Sequence, residues 1–438
     1  MLQTNLNTMR RAKLTWVRNI LFSLRKVIKL SIYTSFYSMF TLSLYANYRH
    51  KTQNGSGDIE AFIKKQDLVK IVEQFDVNPE KYATLPYTDK ESFLEYVLDD
   101  PDSRISKQFQ IPEGMRSRIQ FWMKVYNLYS NDQIILHDID SPWKIYDVVD
   151  IAGLSKKESR EKIRQAKQHF KNVASQIREQ QGMRNSISYA LQQSGRYMEG
   201  MEEIFTKHHL PLELVRLPIV ESSFNPTAYS NVGAAGMWQF MRKTGKHFLD
   251  QINNQIDERL SPFKATEAAA QLMKENYQIL GSWPLAVSAY HHGPGILNQA
   301  QKKLGTDSLG RIIQKFNHPT YGFASKNYYA EFVAALFTEQ YKDKLFEDLE
   351  ILSPLEHDDI ILEYSMRVQT ILDLCKLNLE TLKKYNPDLK HKAFSSSYYL
   401  PEGHWLKLPP GTKKPLDEFH EEARRAKEFI RQLEKKSS

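Results

Sequence analysis

The sequence predicts a mainly α-helical protein with one small mixed α/β module near its end, and three of its features carry that prediction. In "SKKESREKIRQAKQHFKNVASQI", Ser155 and Glu158 have the spacing of a capping box. Ile163, Ala166, Phe170, Val173 and Ile177 then recur at three-and-four spacing. "SPFKATEAAAQLMKENYQIL" places Ser261 at an N-cap and Pro262 at the first helical position, ahead of alanine-rich turns. After residue 355 the texture changes: "DIILEY" reads as a strand, "RVQTILDLCKL" and "NLETLKKYNPDL" as two short helices, and "HWLKLPPG" as a closing strand.

Residues 1–48 form a basic leader followed by the uncharged stretch "LSIYTSFYSMFTLSLYANY". This is the pattern of an export signal, and nineteen residues also suffice for a membrane anchor with its positive flank inside. Both readings, a cleaved signal and an uncleaved anchor, export the body and leave membrane association through this segment open. Residues 49–58, containing "HKTQNGSGD", read as a flexible linker. Residues 59–200 read as a helical N-terminal region. There, Met115, Ile119, Trp122 and Tyr126 share one helical face and are expected in the core, as is the stripe after Ser155. Residues 201–345 are again helical, with loops at "NPTAYSNVGAAG" and "YHHGPG", and Ala268, Ala269 and Leu272 suit close helix–helix contact. Residues 356–411 are the β-α-α-β module, and 412–438 a Lys/Glu-rich helical tail solvated on most sides.

Charge narrows the function classes. Of the 60 Lys and Arg residues, eight lie within 1–49, where no acid occurs, leaving 52 basic residues against 52 acidic ones. The net charge of +8 therefore belongs to the leader, and the body is electroneutral. No basic run with interleaved aromatics occurs elsewhere, so nucleic acid is not an expected partner. Cys375 is the sole cysteine, which rules out an internal disulfide and suits a core thiol. Nothing in the chain signals an oligomeric state.

The candidate chemistry centres on "LPIVESSFNPTAYSNVGAAGMWQF". Glu221 is the one acid in it, and the next carboxylate is Asp250. Pro211 opens a helix expected to end at Glu221 and deliver the carboxylate to the space beyond. Asn225-Pro226 makes a turn, and Gly233 and Gly236 mark close backbone approach. A carboxyl in an apolar wall has its charged form disfavoured, so its pKa rises and it can donate a proton near neutrality. The alternative is a helix cap or an ion pair, although Arg216, five residues away, does not face it squarely. Glycoside cleavage normally uses two carboxylates, and Asp250, Asp257 or Glu258 could supply a second. With one carboxylate only, the sugar N-acetyl group and a sugar hydroxyl must supply the rest.

"ESSFNPTAYSNVGAAGMWQF" resembles the signature of the lytic transglycosylases, enzymes with a goose-type-lysozyme-like helical domain that cut bacterial peptidoglycan. The resemblance continues through "TGKHF", "DERLSPFKATEAAAQLM", "WPLAVSAYHHGPG" and "NYYAEFVAAL" in family order, over about residues 205–340. It implies a lysozyme-like catalytic domain at 201–345 with Glu221 as single general acid/base. Glu221 would protonate the oxygen between N-acetylmuramic acid and N-acetylglucosamine. The muramic acid 6-hydroxyl would then close a 1,6-anhydro ring without water, and no cofactor is required.

By family position Ser230, Gln239, Tyr290 and Tyr328 are implied to contact substrate, with a turn-capping Ser230 and a core-satisfied Gln239 as the alternatives. His291 stands where the family carries asparagine, so its contact with the glycan N-acetyl group and the pH optimum are open. His291 and His292 are neighbours whose side chains point apart, so no metal site is expected. The β-α-α-β module resembles a LysM domain, which implies peptidoglycan glycan strands as its partner, with a structural remnant as the alternative. The alternatives for the whole chain are a hydrolytic muramidase and a non-catalytic wall-binding protein.

Overall fold

The computed structural model describes residues 89–437. The leader, the linker and the expected helical stretch from 59 to 88 lie outside the described residues. Among those described, no helix is long and apolar enough to cross a membrane.

The chain opens with α1 (Lys90–Tyr96), capped by the Asp89 side chain on the Ser92 amide, and α2 (Arg116–Asn127). The face expected to be core is core: Met115, Ile119, Trp122 and Tyr126 are all buried. Beyond Asn127 the structure corrects the helical reading of 59–200. β1 (Gln133–Asp138), β2 (Ile145–Asp150) and β3 (Ile177–Gln181) form an antiparallel sheet in the order β2-β1-β3. β3 reads IREQQ, a poor strand sequence on propensity. It becomes a strand because its backbone pairs with β1 from Ile134↔Gln181 to Asp138↔Ile177, a tertiary override of local preference.

Between them, α3 (Lys156–Gln168) starts with the full capping box of Ser155 and Glu158. It stops earlier than the periodicity implied, and residues Lys171–Gln176 form a 3₁₀ turn leading into β3. The stripe is also less deep than expected: no residue within α3 is fully buried. Ile163, Ala166, Phe170 and Val173 instead half-cover a satellite core of Leu136, Val149 and Ile177. Tyr146 on β2 meets Phe170 with ring centroids 5.5 Å apart.

The main helical body comprises α4 (Arg184–Ser194), α5 (Met198–Lys207), a 3₁₀ turn (Leu212–Arg216), α6 (Leu217–Ser222) and α7 (Arg242–Phe248). It continues with α8 (Pro262–Leu280), α9 (Trp283–His292), α10 (Pro294–Leu304), α11 (Leu309–Lys315), α12 (Phe323–Gln340) and α13 (Lys342–Leu345). Ser261 occupies the N-cap of α8 as expected, though without a side-chain cap bond, and Gly281 closes the helix at φ +67°. Ala268 and Ala269 are fully buried where α8 packs on α9, which lets the two backbones approach.

Helix α12 is the axis of the body, buried on nearly all sides. Its polar members are paired with α2. Arg118 and the Trp122 indole donate to the Asn327 side-chain oxygen at 3.1 and 3.3 Å, and the Asn127 amide donates to Thr338 at 2.8 Å. Buried polar groups satisfied across two helices fix their register as well as their contact.

The closing module forms as expected. β4 (Asp358–Ile361) pairs antiparallel with β5 (Trp405–Leu408) around α14 (Val368–Cys375) and α15 (Leu379–Tyr385). Its own core includes Leu362, Ile371, Cys375, Leu382 and Leu406. Asn386 acts as an extra piece of strand. Its amide donates to the Lys407 carbonyl at 2.7 Å, and its oxygen accepts from the Lys407 amide at 2.9 Å. The module docks on the helical body through backbone bonds from Asp257 to Asp388 (2.9 Å) and from Lys390 to Gln255 (2.8 Å). The tail is helix α16 (Lys414–Ser437), buried at Leu416 and His420 and exposed at Phe429 and Ile430.

Candidate active site

Glu221 sits one residue before the end of α6, a short helix anchored by buried Leu217, Pro218 and Ile219. The expected single helix from Pro211 is two pieces, the 3₁₀ turn and α6, which meet at Arg216 and Leu217. The stop is abrupt. Ser223 and Phe224 both take left-handed φ values, 54° and 57°, and the Phe224 amide closes back on the Pro218 carbonyl at 3.0 Å. Positive φ at two successive non-glycine residues is strained backbone, held here because Phe224 is fully buried. Ser222 ties the same corner to the adjoining loop through a 2.8 Å bond to the Met237 carbonyl.

The loop from Asn225 to Phe240 is built as a rigid wall. Asn225 makes an Asx turn onto the Thr227 amide (2.9 Å), and Trp238 stacks on Phe205 and donates to Thr266 at 2.9 Å. Arg259 clamps it from beneath. This buried guanidinium bonds Asp257 at 2.8 and 2.9 Å and the carbonyls of Gly233 and Phe240 at 2.8 and 2.9 Å. Gly236, at φ +81°, lies so near the Arg259 carbonyl that a Cβ would sit 1.7 Å from it, as the sequence implied. Gly233 differs: its φ is +88° but nothing approaches it, so its role is the turn alone.

The electrostatics isolate Glu221. Arg216 turns away to Glu202 and Glu339. Burial pushes the Glu221 carboxyl up to about 7, and a hydrogen bond from the Tyr328 hydroxyl to its Oε1 pulls the other way. The group is therefore an acid that still holds its proton near neutrality.

The other expected site residues fall into two kinds. Tyr328, buried on α12, reaches Glu221 directly, and His291 stacks on the Tyr328 ring at 5.1 Å. Burial, then the charge of His292, lowers the proton affinity of His291. His292 points elsewhere, to Ser325 (2.9 Å) and Thr320 (3.2 Å). Tyr290 supports the wall: its hydroxyl donates to the Trp238 carbonyl at 2.7 Å, with its ring against Trp238 and Phe240. Ser230 caps its turn by accepting from the Ala234 amide at 2.9 Å. Gln239, at φ 48°, donates its side-chain amide to the Gly236 carbonyl at 2.8 Å.

None of the three acids weighed as a second carboxylate serves. Asp257 is paired with Arg259, Glu258 with Lys264, and Asp250 is exposed. The carboxyl that feels the charge of Glu221 is Glu331, one turn beyond Tyr328 on α12. It is pushed up to about 8 by burial and by the Glu221 charge, with Arg178 opposing. The sequence carried the same signal there as at Glu221, a lone acid in the apolar run "NYYAEFVAALF".

Comparison with known proteins finds a family match over the segment that contains Glu221. Residues 202–310 match the family described as the Transglycosylase SLT domain. Membrane-bound lytic murein transglycosylase D of Escherichia coli K12 is 41% identical over 108 residues, which is 24% of each chain, and the protein of that name from a second E. coli strain matches equally. The matched segment thus spans about a quarter of those relatives. Among solved structures, the 70 kDa soluble lytic transglycosylase of E. coli is similar at 19% identity, covering 35% of this chain and 26% of that one, with a TM-score of 0.26.

Proposed function

Taking as premise that residues 202–310 are a transglycosylase SLT domain, we propose that this protein is a peptidoglycan lytic transglycosylase with Glu221 as its general acid and base. One observation carries the proposal: a carboxyl held up to about 7 at the end of a strained corner, with a tyrosine hydroxyl on one oxygen and no cation beside it. In the first step protonated Glu221 gives its proton to the oxygen joining N-acetylmuramic acid to N-acetylglucosamine, and the C1–O bond breaks. The N-acetyl group of the muramic acid stabilises the positive C1. In the second step the 6-hydroxyl bonds to C1, and Glu221 takes back the hydroxyl proton. A 1,6-anhydro end forms, with no water consumed and no redox change.

The electroneutral body suits a neutral sugar chain. Tyr328, bonded to Glu221, and His291, stacked on the Tyr328 ring, are offered to the sugar, Tyr290 shapes the wall, and Ser230 and Gln239 offer a hydroxyl and an amide along the loop. The module at 356–411 is proposed to bind glycan as a LysM-like domain, and the leader to deliver the protein to the cell envelope.

Mass spectrometry of digested peptidoglycan tests the proposal. Anhydro ends are the expected product. Reducing ends would make the protein a hydrolytic muramidase, and no cleavage would make it a wall-binding protein.

A further inference from the structure

Glu331 has no role in the two reaction steps. Asn327 and Tyr328, four and three residues before it on α12, fix the direction in which it points. Asn327 is held by Arg118 and Trp122 of α2, and Tyr328 is bonded to Glu221. Glu331 therefore stands between the α2 packing face and the site. Tyr126 of α2, one turn beyond Trp122, is fully buried there, and its hydroxyl has no hydrogen-bond partner among the described residues. That hydroxyl feels the charge of both Glu331 and Glu221. Glu331 itself makes no hydrogen bond or ion pair among the described residues, and it lies outside the 202–310 family match.

We propose that Glu331 is a positioning residue of this site: unpaired and one helical turn from Tyr328, its carboxyl opposes negative charge on Glu221 and so keeps a proton on the catalytic acid. The inference rests on the reading of Glu221 as that acid. Two carboxyls in one desolvated space do not both ionise readily, so their protons leave in two steps that belong to the pair. While one proton remains, part of it resides on Glu221. The partner carboxyl can only extend the range over which Glu221 is protonated. The charged and titratable groups around the pair act less strongly or on one member. Tyr328 favours the Glu221 anion, Arg178 of β3 favours the Glu331 anion, and buried Tyr126 and Tyr290 stay neutral. His291 of α9 stacks on the Tyr328 ring and is held towards its neutral form by burial, Arg118 is committed to Asn327, and Arg216 faces Glu339.

The test is the pH profile of anhydro-end release by the full-length protein and its Glu331→Gln and Glu331→Asp variants. The alkaline limb of Glu331→Gln is expected to fall at lower pH by about half a unit, as a coupling of about one unit between carboxyls of similar affinity requires. Glu331→Asp should retain the drawn-out wild-type limb. A lower rate with an unmoved limb in Glu331→Gln would make Glu331 merely structural and overturn the proposal. Carbon-13 NMR titration of the glutamate side-chain carboxyls in the wild-type protein needs no turnover, and a two-step curve at Glu221 is expected. A single-step curve there would also overturn the proposal, even if the variants fail to fold. Absence of any anhydro product from the wild type would instead refute the proposed function, with the titration still judging the pair.

Discussion

Replacing Glu221 with glutamine keeps the shape of the side chain and its acceptor for Tyr328 but removes the charge, which makes the variant a probe of stability as well as of catalysis. The carboxyl is raised from 4.5 to about 7, chiefly by burial. The folded state therefore holds its proton more tightly than the unfolded chain does. Below the ordinary value both states are protonated, and the site costs nothing. As pH rises from 4.5 to 7 the unfolded chain ionises first and is favoured, and above 7 the cost is complete. At about 1.4 kcal/mol for each pH unit, that cost is about 3 kcal/mol. Glu221→Gln should therefore be more stable than wild type by about 3 kcal/mol at about pH 8 and indistinguishable from it at about pH 4. Urea denaturation at the two pH values measures the difference as a change in midpoint at constant slope. Equal or lower stability of the variant at the higher pH would show that Glu221 is not desolvated, and its acidity would lose its physical cause.

Tyr328→Phe removes the hydrogen bond that stabilises the Glu221 anion, so the alkaline limb of activity should move up by about one pH unit, as expected for a bond to a charged group. An unmoved limb in the rate profile would sever Tyr328 from the acid. Arg259→Met leaves buried Asp257 unpaired and frees two loop carbonyls, and urea denaturation should show a loss of about 3–5 kcal/mol; a loss under about 1 kcal/mol would contradict the clamp. His291 has its proton affinity lowered by burial and by His292 and is neutral at about pH 7. The rate profile of His291→Asn should thus match wild type in shape above about pH 6.5, and loss in the variant of an inflection present in the wild type there would assign His291 a titrating role.

The parts of this molecule that could be read from sequence are those whose local pattern and tertiary role agree. The α2 face, the capping box at Ser155, the start of α8 and the strand-helix-helix-strand module are of this kind. The three-stranded sheet was missed for two different reasons. "QIILHD" and "IYDVVD" are β-branched runs on either side of a proline-containing connection, a hairpin signal masked by the helical surroundings. "IREQQ" had no signal to find, because only its pairing with β1 makes it a strand.

At the candidate site, the desolvated setting of Glu221 was legible because an acid among apolar residues contradicts its surroundings. Its corner was not legible, since left-handed φ at Ser223, Phe224 and Gln239 is imposed by packing and written in no residue preference. The expected substrate contacts at Ser230 and Gln239 have their polar atoms engaged within the loop, a detail that spacing cannot show. Glu331 was hidden because the acids near Glu221 in sequence are not those near it in space, and α12 brings it there from 110 residues away.

Digestion of peptidoglycan in water enriched in heavy oxygen tests the central claim most directly, with wild type and Glu221→Gln compared by mass spectrometry of the new ends. Wild-type ends are expected to be one water lighter than reducing ends and to carry no heavy oxygen, with release falling at least about a hundredfold in Glu221→Gln. Heavy oxygen in the muramic acid ends, or anhydro ends released by Glu221→Gln at the wild-type rate, would contradict the assignment of Glu221 as the acid of a water-free cleavage.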